Sequence, residues 1–199
     1  SREINGPVDG ERGGSGAAYV FTRAGNTWSR QAYIKVASAE RGDSWGVAVA
    51  LSADGNTLAI GTADEDCAAT GVNPGGCDTD QPDNVSTGAV AVFTRNGATW
   101  TQSSYLKASN TDTEDWFGVK LALSGDGDTL AVSASNEDGG AQGINGRQDD
   151  NSAVDAGAVY FFTRTGGSWT QQAYVKSTHN EAFDEFGNTV ALSADGRTM

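Results

Sequence analysis

The chain has 199 residues, 37% of them hydrophobic, with 27 glycines, 3 prolines and a formal net charge of −13. That length can bury a sizeable core, and abundant glycine with scarce proline suits short strands joined by tight turns better than helices or disorder. The charge opposes association with nucleic-acid phosphate or an anionic membrane surface and favours cations and basic partners. No run of 18 apolar residues occurs, and the opening Ser1-Arg2-Glu3-Ile4-Asn5-Gly6 lacks the apolar core of a signal peptide. No membrane insertion is expected, and the chain reads as a mature or excised segment.

The first recognisable element is Gly16-Ala-Ala-Tyr-Val-Phe-Thr-Arg23, a mostly apolar strand followed by the turn Ala24-Gly25-Asn26 and a strand from Thr27 to Val36. Val47 to Ser52 then alternates large Val47, Val49 and Leu51 with small Ala48 and Ala50, the period-two signature of a strand. Asp54-Gly55 reverses the chain, because glycine readily takes the positive φ of a tight hairpin, into a strand from Thr57 to Thr62. A long acidic loop follows, and the pattern then begins again.

Gly88 to Arg95 repeats Gly16 to Arg23 at an offset of 72, and Gly157 to Arg164 repeats it again after 69 more. Trp28, Trp100 and Trp169 follow in step, as do Tyr33, Tyr105 and Tyr174, then Trp45-Gly46, Phe117-Gly118 and Phe186-Gly187. Each unit is a four-stranded antiparallel meander, and its repetition along the chain is the plan of β-propeller blades. The expected fold is all-β, with about three blades of a partial propeller. A half blade with its preceding loop occupies 1–44, blades occupy 45–115 and 116–184, and the next blade starts at 185–199. Asn188 to Ser193 is expected to be an eleventh strand. A β-sandwich of unrelated hairpins is the alternative, but it does not require so strict a repeat.

These residues resemble the FG-GAP repeat family, typified by the propeller of integrin α chains and by many bacterial surface proteins. The Phe-Gly of that motif matches Phe117-Gly118 and Phe186-Gly187, with Trp45-Gly46 a near variant; the Gly-Ala-Pro part is weaker, at Gly61-Thr62-Ala63 and Ser133-Ala134-Ser135. The resemblance implies a propeller and, commonly, a cell-surface binding role. In integrin-type repeats calcium sits in an Asp-x-Asp-x-Asp-Gly loop between the first and second strands. Here that connection is a short turn with too few carboxylates to give calcium its six to eight oxygens, so the family's site does not carry over.

Most of the 26 acidic residues fall in loops that the topology gathers on one rim, while Arg23, Arg95 and Arg164 lie towards the other. Carboxylates crowded together repel, and a hard cation relieves this. The long loops therefore offer calcium two candidate sets: Asp64, Asp66, Asp78 and Asp80, and Asp138, Asp149, Asp150 and Asn151. A solvated acidic rim is the alternative. Cys67 and Cys77 fit a local disulfide and an oxidising compartment, with free thiols or half a metal site as alternatives. The recurring aromatic residues suit blade packing better than a carbohydrate-stacking platform. Arg41-Gly42-Asp43 resembles an integrin-binding signal but does not recur, and Asn84-Val85-Ser86 fits the glycosylation acceptor pattern.

His179 has no Ser or Cys partner embedded in a motif, and no nucleophile elbow or phosphate loop occurs. The expected function is a non-catalytic binding or adhesion module, secreted, on the cell surface or periplasmic, taking a protein or glycan ligand on its acidic face. The rivals are a subunit assembling head to tail and a carbohydrate-active enzyme. Other expected partners are the remaining blades of a longer chain or further copies of this one.

Overall fold

The computed structural model describes residues 4–6, 13–77 and 85–199. Among them are ten strands and no helix: β1 (Ala18–Ala24), β2 (Thr27–Ile34), β3 (Ala48–Leu51), β4 (Thr57–Thr62), β5 (Ala89–Asn96), β6 (Thr99–Leu106), β7 (Phe117–Leu123), β8 (Thr129–Ala134), β9 (Ala158–Thr165) and β10 (Ser168–Val175). They form one two-stranded and two four-stranded antiparallel sheets, β1-β2, β3-β4-β5-β6 and β7-β8-β9-β10. Each four-stranded sheet is the expected meander, and the sheets stack without closing into a ring.

The core lies between the sheets. On one face of the middle sheet Leu58, Ile60, Ala91, Phe93 and Trp100 pack with Ala18, Val20, Ala32 and Ile34 of the first. On its other face Ala59, Val90, Val92 and Leu106 meet Leu130, Val132, Tyr160, Phe162 and Trp169 of the third. Strand β5 is thus buried on both faces, as its continuous apolar run requires. Alternation in the strands sends successive side chains to different neighbours, so one strand serves two junctions.

The repeated glycines are set by contact between the sheets. Gly88 has φ 76° and pairs in a parallel bridge with Phe117; a Cβ on it would lie 2.0 Å from the Phe117 carbonyl oxygen. A Cβ on Gly118 would meet the Ala89 carbonyl oxygen at 2.4 Å. The Phe-Gly of one repeat therefore docks on the Gly-Ala-Val of the preceding one, and only a side chain of hydrogen permits the approach.

Residues 188–193 form no strand, which corrects the expectation of an eleventh. The alternating pattern is present, but a strand exists only through ladder hydrogen bonds, and among the described residues this segment has no second strand to pair with. Its turn nevertheless forms, with the Ser193 amide donating to the Thr198 carbonyl.

The described parts of the long loops are tied to the blades by hydrogen bonds. The amide of Asn145 donates to the Tyr174 carbonyl while its side-chain oxygen accepts from the Tyr174 amide; Asn73 does the same with Tyr105, and Asn5 with Tyr33. Each asparagine has positive φ, between 49° and 57°. This clasp folds the loop across the blade and covers part of the fourth strand's edge, whose open backbone groups would otherwise invite pairing with another chain. The Cys67–Cys77 disulfide closes the loop around the Asn73 clasp.

Candidate functional site

The acidic residues divide into two populations. Glu65, Glu137, Asp43 and Asp115 are buried, whereas Glu114, Asp149, Glu181, Asp184 and Glu185 are exposed. A buried carboxylate must be paired or fully hydrogen-bonded, and the third sheet shows how this is done. Glu137 accepts four hydrogen bonds, from Asn110 Nδ2 at 2.9 Å, Tyr174 Oη at 2.8 Å, Gly139 N at 2.9 Å and Lys176 Nζ at 2.6 Å. Lys176 and Glu137 form an ion pair with almost no solvent exposure. Asn110 in turn accepts from Tyr160 Oη, so five side chains from four segments are locked together.

The middle sheet repeats the plan incompletely. Lys107 Nζ donates to Thr87 Oγ1 and to the Gly88 carbonyl rather than to Glu65. Burial pushes the Glu65 carboxyl up to about 7, with the Asp43 charge acting the same way, and burial brings Lys107 down to about 7. Burial likewise raises Asp115 to about 7, although the Asp112 amide donates to its carboxylate. These groups act on the junctions between sheets, beneath the rim where charge alone had located them.

Asp64 and Asp66 line a cleft of about 380 Å³ with Arg41, Gly42, Ser86 and Glu114. Asp66 also accepts from the Ser86 amide, and Asp138 makes the equivalent bond to the Asp155 amide, so both pin the return of the long loop. Asp149 pairs with Arg147, which holds its carboxyl below the usual range; Asp150 accepts from the Ser152 amide, and Asn151 donates to Asp112. Asp78 and Asp80 lie outside the described residues, as does Asn84. Among the described residues no three acidic, His or Cys side chains come together as a metal would need.

Other sequence signals fall into place. Asp43 of the Arg41-Gly42-Asp43 tripeptide is buried and accepts from Glu40 N and Trp45 Nε1, so the tripeptide is not presented as a recognition loop. Trp100 and Trp169 are core residues with Arg95 and Arg164 over their rings, while Trp28 is exposed. In the short turns Asp54 and Asp126 are occupied by Ser52 and Asn56, and by Ser124 and Asp128, bonds that hold both carboxyls below the usual range. Exposed His179 lies 3.3 Å from the Thr178 hydroxyl.

Residues 100–162 match the family model of the FG-GAP repeat. The chain carries an FG-GAP repeat. The match runs from β6 through β7 and β8 into β9, and so contains the Phe117-Gly118 step whose docking on Gly88-Ala89 holds two sheets together. No curated protein matches the chain significantly.

Proposed function

We propose that this FG-GAP repeat chain is a non-catalytic binding and adhesion module of a secreted or cell-surface protein, with the acidic rim as its ligand face. The observation that carries this reading is the exposed acidic charge of the loops. Once the buried carboxylates are assigned to sheet junctions, Glu114, Asp149, Glu181, Asp184 and Glu185 remain exposed on the long and interblade loops, while the opposite side carries Arg95 and Arg164 together with exposed Asp54, Asp126 and Asp195. Such charge steers a basic partner and opposes wrong orientations. FG-GAP repeats are generally non-enzymatic, and both the repeat and a disulfide are typical of extracellular proteins. Calcium is the cation this reading assigns to the long acidic loop whose sequence carries Asp64, Asp66, Asp78 and Asp80.

A glycan and protein-ligand array, run with and without calcium beside a hydrolase and lyase panel, tests the proposal. Binding lost on charge reversal at Asp64 and Glu114 supports it. Turnover abolished by replacing one rim carboxylate overturns it in favour of a carbohydrate-active enzyme.

A second reading, head-to-tail assembly, is favoured by one uncovered surface. Val47, Val49 and Leu51 are 50%, 56% and 52% exposed, although Leu121 and Leu123, the counterparts of Val49 and Leu51, are half-buried against the core shared by the second and third sheets. With Tyr19 and Phe21, Val49 and Leu51 frame an apolar groove of about 430 Å³ beside β1, which among the described residues pairs only with β2. The occupant is residues 188–199 of a second copy, supplying the pattern of a first strand and the start of a second. Light scattering decides: multiples of 20.5 kDa that dissociate on Val49→Lys support assembly, and a monodisperse 20.5 kDa species counts against it.

A further inference from the structure

The fourth strand of each repeat bulges at one place. The ladder skips Gln31 between Val20 and Phe21, Ser103 between Val92 and Phe93, and Gln172 between Phe161 and Phe162. A bulge re-aims a side chain, and Gln31 shows the use made of it. Its Oε1 accepts from Trp100 Nε1 and Arg95 Nη1 of the second sheet, each at 3.2 Å. One amide oxygen thus ties two sheets together. Ser103 is too short to do the same for the next junction; its hydroxyl donates to the Val92 carbonyl of its own sheet. Correspondingly, buried Trp169 Nε1 has no hydrogen-bond partner among the described residues.

The two halves of this fastening recur on outward faces. Gln172 of the third sheet is exposed, and its amide nitrogen donates to Thr170 Oγ1, which leaves the oxygen to accept. Trp28 of the first sheet is 65% exposed where its counterparts Trp100 and Trp169 are 3% and 2% exposed, and Arg23, the counterpart of Arg95, is exposed beside it. Tyr19 and Phe21 are exposed too, whereas the residues at their places in the second and third sheets are buried. The third sheet also holds a seat for a following blade. A Cβ on Gly157 would lie 2.3 Å from the Phe186 carbonyl oxygen, and the Gly125 amide donates to the Ala194 carbonyl as the Ala53 amide donates to that of Gly125. Residues 186–196 therefore lie where the first strand and turn of that blade belong.

We propose that Gln172 of one copy accepts from Trp28 Nε1 and Arg23 of a second copy, seating the face of Tyr19, Phe21 and Trp28 on the outer side of the third sheet. Resting on the head-to-tail reading, this contact gives the assembly its direction, because the amide fits only a sheet that presents a tryptophan and an arginine together. One residue opposes closure. Arg95 and Arg164 donate to Asn56 and Asp128 in the short turns of their own sheets, and the same position of the third such turn is Arg197. In the assembly Arg23 meets Arg197, and the like charges weaken the junction.

Sedimentation velocity of the whole chain over a range of concentrations is the test. Reversible association is expected. Gln172→Leu should weaken it about tenfold, and Trp28→Phe, which removes the N–H and keeps a ring, by less. The double variant should be little weaker than Gln172→Leu alone, since both substitutions break one contact. Arg197→Asp, which recreates the pairing of Arg164 with Asp128, should tighten association. Both Trp28 and Gln172 are exposed in the single chain, so their variants should keep its melting temperature. A chain that stays monomeric at every concentration overturns the head-to-tail reading and this contact with it. Association that Val49→Lys abolishes but Gln172→Leu leaves unchanged, or to which the two substitutions contribute independently, overturns this contact alone.

Discussion

The junction between the second and third sheets and the junction between the first and second share one sequence plan but not one chemistry. At the former, Glu137 has four donors and a direct ion pair; at the latter, Lys107 is held by a threonine and a carbonyl instead of by Glu65. The difference teaches that the internal repeat fixes where the buried charges stand, whereas the residues around them decide whether those charges are neutralised.

The largest expected effect breaks the complete network. Lys176→Met leaves the Glu137 carboxylate buried without its counter-charge and should cost about 3–5 kcal/mol in denaturant unfolding. Lys107→Met removes hydrogen bonds to Thr87 and Gly88 and a charge that acts on Glu65 without a direct bond, and should cost less than about half as much. Equal losses would erase the comparison.

Replacing Cys67 and Cys77 with serine comes next. A disulfide closing so short a loop contributes about 2–3 kcal/mol in the chain-entropy account, and the loss should also raise hydrogen exchange at the Asn73 and Tyr105 amides. Asn145 sits in the equivalent clasp without a disulfide. Asn145→Ala removes one side-chain hydrogen bond and should cost about 1 kcal/mol, with faster exchange at the Tyr174 amide.

The blades were legible in the sequence because three in-register copies of Gly-Ala-Val, Trp, Tyr and Phe-Gly repeat the same local instructions. Residues 188–193 carry those instructions too, yet form no strand, since pairing is a property of two segments. Glu65, Glu137, Asp43 and Asp115 were read with the rim because charge ordinarily stays in water. A signal against that reading was present: Lys107 and Lys176 recur in step with these acids, and a merely solvated rim has no need of register. The Asn73 and Asn145 clasps were hidden for a different reason, as the loops around them differ in length and composition. Asp78 and Asp80 lie outside the described residues.

Titration of Asp115 tests the central claim, that the recurrent acids are buried parts of the sheet junctions, most directly. Burial raises its carboxyl from an ordinary 3.8 to about 7. The folded state therefore holds a proton that the unfolded state releases between those limits. Stability from this group is full below the ordinary value and is lost as pH rises through about 7. The melting temperature should fall between pH 5 and pH 8, and less so in Asp115→Asn. Carboxyl-carbon NMR should show Asp115 titrating near neutrality and exposed Asp149 well below it; an Asp115 that titrates together with Asp149 would contradict the account.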